Sequence, residues 1–353
     1  MKRILVISNL YPSKKAPYYG SFVKNFVDEL IVYTDARVDV CVLKGFNQGK
    51  LKKLFMYTWF YLRIIYYLIF FRYYFVYVHL ITHSTIPIAF VSKFKKLNLI
   101  FNIHGEDLLV TTPLAKKLLE IAKPLLYKAK FVVVPSFYFK DITLKLLPQI
   151  SPDKLVVSAS GGVKEEFFIE GDKRHQQPYT IGYVSRIDRG KGWNIFVQAL
   201  SILAERGVPV HGVMIGGGAE IPEFKQIINT LKNGLIEYIG PVAHDDLNTY
   251  YSKMDLFVFP TLLRESLGLV GLEAMATHTP VVGSHIGGLT DYIKEDENGY
   301  FFIPGDAEDL ANKIEKYCNL SVADKIKMGK NARNTAENYK AKVVACNLFN
   351  RIF

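Results

Sequence analysis

The stretch from Phe257 to Gly288, FVFPTLLRESLGLVGLEAMATHTPVVGSHIGG, limits the fold more than any other. Asp255 to Pro260 is an apolar run too short for a helix and closed by proline, so it reads as a buried strand. After a loop, Glu265, Ser266, Leu267 and Gly268 lead into a helix running to about Thr277, and Pro280 to Gly283 forms another short strand. Strand, loop, helix, strand is one parallel crossover unit, which places the chain in the α/β class. The first-turn amides of such a helix point past the carboxyl end of the sheet, where a phosphate is held with no metal between. Gly268 lets backbone come close, and Glu265 and Glu273 address one ligand from two depths.

The same alternation runs through the chain. Strands are expected at Lys2–Ser8, Val38–Leu43, Phe75–Leu80, Leu99–Ile103, Phe131–Pro135 and Leu155–Val157 in the first half, and at Tyr179–Val184, Val210–Ile215 and Leu235–Ile239 in the second. Between them lie helical stretches, the first capped by Ser21 and running to Tyr33, another near Thr85–Lys96. A length of 353 residues suggests two domains. Residues 1–168 form the first, the polar, proline-ended segment 169–178 is a linker, and 179–338 form the second. The tail from Ser321 reads as two helices.

Chemistry is expected at strand ends. The strand at Leu99–Ile103 delivers His104, Gly105, Glu106 and Asp107 to the mouth of a cleft. Tyr179–Val184 feeds a turn, Ser185 to Gly192, whose Arg186 and Lys191 form a phosphate-facing arrangement before a helix. Gly216-Gly217-Gly218 lacks dinucleotide-fingerprint spacing and is read as a turn. No Asp-x-Asp stands at a strand end, and neither Asp245-Asp246 nor the acidic run Glu295–Glu297 has ligand spacing, so no metal or other cofactor is expected.

Two glutamates in this order, with Ser-Leu-Gly after the first and Pro-Val-Val-Gly-Ser then Gly-Gly after the second, resemble the donor-site signature of the family 4 glycosyltransferases (glycosyl transferases group 1). The family's His-Gly-x-Asp is matched in full at His104 to Asp107. The resemblance implies a GT-B fold, two Rossmann-like domains facing across a cleft, with the last helix (339–353) crossing back to the first domain. It implies a retaining, metal-independent enzyme whose nucleoside-diphosphate sugar is a substrate. By the same resemblance His104 and Glu265 contact the donor sugar, Glu273 the ribose, Arg186 and Lys191 the diphosphate, and Ser266, Leu267, Gly268 and Leu269 the phosphates through the helix start. Val242 follows a strand over which the nucleobase lies, and Gly20 lets backbone near the reaction centre.

Charge divides unevenly: residues 1–165 hold 24 Lys and Arg against 10 Asp and Glu, giving +14, and the rest −3, within a total of +11. The basic half carries no recognised nucleic-acid module, and its basic residues alternate with aromatic and aliphatic runs, which favours an anionic membrane surface. Lys50 to Tyr74, KLKKLFMYTWFYLRIIYYLIFFRYY, stands where the first domain needs a helix. Its internal Arg63 and its Tyr, Phe and Trp content argue for a helix on or dipping into one leaflet, or a wholly buried one, over a spanning helix. Cys41, Cys318 and Cys346 are odd in number and far apart, and the first apolar run ends at Ser8, so a reducing compartment without a signal peptide is expected. The expectation is a cytoplasmic protein, peripheral on the inner membrane face, with a lipid-linked glycan as hydroxyl acceptor. Its rivals are a soluble acceptor, a sugar-nucleotide epimerase of similar fold, a glycoside hydrolase using Glu265 and Glu273, and a membrane-docked protein without turnover.

Overall fold

The structure, a computed structural model, describes residues 2–13, 16, 19–44, 49–169, 175–231 and 234–353. The chain divides into two compact units, residues 1–161 with 342–353, and residues 162–341.

The first unit alternates β1 (Arg3–Ser8), α1 (Ser21–Tyr33), β2 (Arg37–Val42), α2 (Lys50–Phe70), β3 (Phe75–His79), α3 (Thr85–Ser92), β4 (Leu99–Asn102), α4 (Pro113–Lys128), β5 (Phe131–Val134), α5 (Phe137–Leu146) and β6 (Leu155–Val157). The second contains β7 (Tyr179–Val184), α6 (Trp193–Glu205), β8 (Val210–Ile215), α7 (Ile221–Ile228), β9 (Ile236–Gly240), α8 (Leu247–Tyr251), β10 (Leu256–Phe259), α9 (Leu269–Ala276), β11 (Val281–Ser284), β12 (Gly299–Phe302), α10 (Ala307–Cys318) and α11 (Val322–Glu337). The last helix, α12 (Ala341–Ile352), returns to the first unit.

Each unit is a six-stranded parallel sheet, ordered β2-β1-β3-β4-β5-β6 and β12-β11-β10-β7-β8-β9. Strand order reverses between β1 and β3 in one sheet and between β7 and β10 in the other, and the crevice at such a switch point is where open α/β sheets take ligands.

Side chains alternate across β1. Leu5 and Ile7 face a core with Phe60, Ile64 and Leu68 of α2, Ile88 and Val91 of α3, and residues of α4 and α5. Ile4 and Val6 face the other core, with Val23, Phe26, Val27 and Leu30 of α1 and with Ala345, Leu348, Phe349 and Ile352 of α12. The Tyr74 hydroxyl donates to the Phe353 carbonyl at 3.1 Å.

Two expectations shift. Gly20, not Ser21, caps α1, in left-handed backbone, and Ser21 is the first helical residue. Residues 162–169, assigned above to the first domain and the linker, pack with the second unit. The Val163 N–H donates to the Tyr339 carbonyl at 2.7 Å, the Ala341 N–H to the Val163 carbonyl at 2.8 Å, and Phe167 is fully buried beside His244. Residues 170–174 of the expected linker lie outside the described residues.

Helix α2 buries one stripe, Phe60, Ile64 and Leu68, spaced four apart, with Tyr57, Tyr61, Ile65 and Tyr67 partly buried against the same core. Its other side is apolar and open: Leu54, Phe55, Trp59, Leu62, Tyr66 and Phe70 are all more than half exposed. Neither a buried helix nor a spanning one describes it. Among the described residues no helix is long and apolar enough to cross a membrane.

Candidate functional site

In the second unit the loops leaving β7 and β10 lie side by side because the two strands pair. Gly192 stands at φ 74°, and a Cβ there would lie 1.7 Å from the Pro260 carbonyl oxygen, so no other residue fits so near the end of β10. The Leu262 N–H donates to the Gly190 carbonyl at 2.8 Å. This contact brings Lys191 Nζ to 2.8 Å from Glu265 Oε1, with the two side chains 15% and 18% exposed. Thr261 Oγ1 donates to the same Oε1 at 2.9 Å. From behind, Gly288 donates its N–H to the Glu265 carbonyl at 2.9 Å and leaves no room for a side chain against Ser266.

Gly268, at φ 84°, is the N-cap of α9, and its missing side chain makes room for the Phe259 ring. Leu267 is buried, while Ser266, Gly268 and Leu269 are partly exposed, so the helix opens with its backbone near the surface. Eight residues of aligned peptide dipoles give that end a partial positive charge. Lys191 and the start of α9 together can receive an anion, with Glu265 beside them to accept hydrogen bonds from hydroxyls.

Glu273 is not a solvated helix residue. Its side chain is 6% exposed, with His244 Nε2 at 3.0 Å from Oε1 and the Tyr251 hydroxyl donating to Oε2 at 3.3 Å. The hydrogen bond to Glu273 raises the His244 pKa against the opposing effect of burial. His244 stands in a short turn just after Val242, which is partly exposed in the loop following β9. Arg186 is not gathered with Lys191: Nη1 lies 2.8 Å from Asp188 Oδ2, and the side chain is 71% exposed.

The first unit holds the remaining candidates at its own strand ends. Asp107 is buried, and Oδ1 accepts the N–H groups of His104 at 2.9 Å and Gly105 at 3.0 Å, while Oδ2 accepts that of Ile81 at 3.1 Å. It therefore orients the His104 loop. Burial pushes the His104 imidazole pKa down to about 4. Gly20 ends the loop after β1, with its Cα facing the Leu10 backbone too closely for a side chain.

Sequence reasoning did not single out His244 or His79, whose ring reaches His104 at 3.1 Å. Only strand adjacency and tertiary contact reveal them. Among the described residues there is no group of three or more His, Cys, Asp or Glu suited to a metal.

Residues 164–335 match the family described as glycosyl transferases group 1. The chain is 31% identical over 215 residues to the capsular polysaccharide biosynthesis glycosyltransferase CapM of Staphylococcus aureus, covering 58% of this chain and 55% of the relative. It is 33% identical over 168 residues to the sulfoquinovosyl transferase SQD2 of Arabidopsis thaliana, covering 46% of this chain and 31% of the relative. The matched stretches thus span about half of the first relative and a third of the second. In solved structures the fold is similar to sucrose-phosphate synthase from Thermosynechococcus elongatus (TM-score 0.75, 19% identity, 99% and 98% of the two chains covered). It is also similar to Anabaena HepE in complex with UDP (TM-score 0.74, 19% identity, 99% of each chain covered). Through residues 164–335 the chain carries a glycosyl transferases group 1 domain, and its two-sheet architecture is the GT-B fold.

Proposed function

We propose that this protein is a retaining glycosyltransferase that moves a sugar from a nucleoside-diphosphate sugar to the hydroxyl of a lipid-linked glycan at the inner membrane face, in cell-surface polysaccharide synthesis. The observation that carries the reading is the Lys191–Glu265 pair at the switch point of the second sheet, beside the start of α9.

Departure of the nucleoside diphosphate places negative charge on the phosphate oxygen that leaves the anomeric carbon. A part-buried ammonium and a helix start beside that oxygen stabilise the charge as it develops, more than they stabilise the bound donor. Glu265 accepts hydrogen bonds from sugar hydroxyls and fixes the ring for reaction. The bond from anomeric carbon to phosphate oxygen breaks, the acceptor oxygen bonds to the same face of that carbon, and the acceptor proton passes to the leaving phosphate. His104 contacts the donor sugar, and Glu273 the ribose, sharing its carboxylate with His244. Arg186 reaches the diphosphate by giving up Asp188, an exposed pair worth about 0–1 kcal/mol. The Lys and Arg charges take the place of a metal ion.

The outer side of the first unit supports the membrane part. Between Asp39 and Glu106 the sequence has nine Lys and Arg and no Asp or Glu. The open face of α2 is joined by the exposed Ile86 and Phe90 of the neighbouring α3 and by Phe94 in the turn just after it. An apolar face set among unopposed basic residues suits the headgroup layer of an anionic leaflet.

The test is a panel of nucleotide sugars, each scored for thermal stabilisation and for nucleotide release with and without a polyprenyl-diphosphate glycan. One donor should stabilise the protein and release nucleotide only when the acceptor is added. Donor conversion without acceptor would favour an epimerase, and sugar release from a glycan without any nucleotide would favour a hydrolase.

A further inference from the structure

The geometry points to His79 as a positioning residue that fixes the proton of His104 on Nδ1, so that His104 presents a hydrogen-bond donor to the sugar.

His79 is the last residue of β3 and His104 follows the end of β4, the strand beside it. His79 Nδ1 and His104 Nε2 are 3.1 Å apart, with the rings stacked at 5.3 Å between centroids. The two nitrogens share one proton, since one must donate and the other accept.

His79 itself decides which. It is 1% exposed, and among the described residues its Nε2 has no hydrogen-bond partner. Phe26, at 4.8 Å, and Tyr77, at 5.0 Å between ring centroids, wall it in. If His104 donated, the remaining His79 proton would sit on this enclosed Nε2 as an orphaned N–H. If His79 donates through Nδ1, its Nε2 is left as a bare lone pair. Buried N–H groups without partners are the rarer case, and under-satisfied acceptors are better tolerated. The proton therefore lies on His79 Nδ1, His104 Nε2 accepts it, and His104 carries its own proton on Nδ1.

The rest of the site agrees. Asp107 holds the backbone of His104, the Phe22 ring lies 4.5 Å from the imidazole, and His79 holds the ring edge, so little freedom remains for a flip. Burial keeps both imidazoles neutral through the ordinary pH range, so the shared proton is not replaced by two. A sugar hydroxyl meeting Nδ1–H is bound as acceptor, and a sugar lacking an oxygen there loses the contact.

This inference rests on the reading of His104 as a donor-sugar contact, and its test separates the two. The full chain with 15N-labelled histidine is compared by long-range 1H–15N NMR as wild type, His79→Leu and His79→Asn, with thermal melts checking that each folds. Wild type should show His104 as the Nδ1–H tautomer. In His79→Leu its Nε2 resonance should move as the hydrogen bond is lost, and in His79→Asn, whose amide can donate from a similar place, it should return. With UDP-glucose as probe, or the donor active in the panel above, turnover should fall at least tenfold in His79→Leu and stay within threefold of wild type in His79→Asn, with KM nearly constant. A wild-type Nε2–H tautomer, or unchanged His104 ring shifts in His79→Leu, would overturn the proton assignment. Normal turnover in His104→Ala would instead remove the sugar contact, whatever the tautomer.

Discussion

Lys191 Nζ lies 2.8 Å from Glu265 Oε1, in a pair drawn from two loops that belong to adjacent strands. Each group partly neutralises the other, so a single substitution also leaves a part-buried charge unopposed. Lys191→Ala should lower transition-state stabilisation by about 2–4 kcal/mol, with turnover falling more than donor affinity. Glu265→Gln should impair transfer severely, and the double variant should be less damaged than the two losses added, by about 0.5–3 kcal/mol of coupling. Steady-state kinetics of the four proteins measures this, and unchanged turnover in Lys191→Ala would take the clamp out of the mechanism.

His244 and Glu273 set an alkaline limit on the second unit. The folded-state His244 pKa is raised by its hydrogen bond to Glu273, so the stability it contributes is complete below about 6.5 and is lost as pH rises through the raised value. Thermal melts across that range should decline with pH in the wild type and flatten in His244→Gln. Glu273→Gln should flatten them too and weaken nucleotide binding; equal slopes in all three would show that the pair does not titrate on unfolding.

His104 acts in the opposite direction. Its imidazole stays neutral in the folded protein down to about 4, whereas the unfolded chain takes up the proton near 6.5. Stability from this group is present above 6.5 and falls as pH drops toward 4. His104→Gln should lose part of the acid-side decline in denaturant midpoint, and an unaltered acid limb would mean that other groups carry it.

Transfer should survive a chelator. With Lys191, the start of α9 and Arg186 assigned to the diphosphate, added EDTA should change the rate less than twofold, within the error of about 0.4 kcal/mol. Restoration of a lost rate by Mg or Mn would reassign the charge neutralisation to a metal.

The outer face of α2 should bring the protein to liposomes. Binding in flotation should rise with anionic lipid and fall with salt, each Lys or Arg that reaches the surface contributing about 1 kcal/mol. Lys52→Glu with Lys53→Glu should weaken it electrostatically, and Phe55→Ser with Trp59→Ser should weaken it at every salt concentration. Protein left wholly in the lipid-free fraction at low salt would defeat the docking, and with it the case for a lipid-linked acceptor.

Much of this site can be read in the sequence because its chemistry is tied to strand ends. Tyr179–Val184 and Val210–Ile215 are short apolar runs with clear stops, and the structure gives them the same bounds. Lys191 and Glu265 follow from such stops. His79 does not, since it closes a strand whose five residues are all buried and looks like one more core position. His244 sits in a polar turn, where nothing local announces that Glu273, 29 residues on, will hold it. The place of Arg186 in the turn points it toward phosphate, but Asp188, two residues away, pairs with it. For α2 the apolar residues surround the helix and erase its period; only packing shows that Phe60, Ile64 and Leu68 face inward.

The return of α12 to the first unit bears on how the protein is made. Ala345, Leu348, Phe349 and Ile352 complete the apolar cluster around Ile4, Val6, Phe75 and Tyr77, yet residues 162–341 are translated in between. At about 5–20 residues per second the ribosome needs on the order of ten to forty seconds for that insertion. Throughout that interval one side of the first sheet has α1 but lacks the part of its cover that α12 supplies, while the second unit is continuous in sequence. Nascent chains should therefore engage holdase chaperones through the first unit until the final helix emerges, and a late stop codon should expose the same strands permanently.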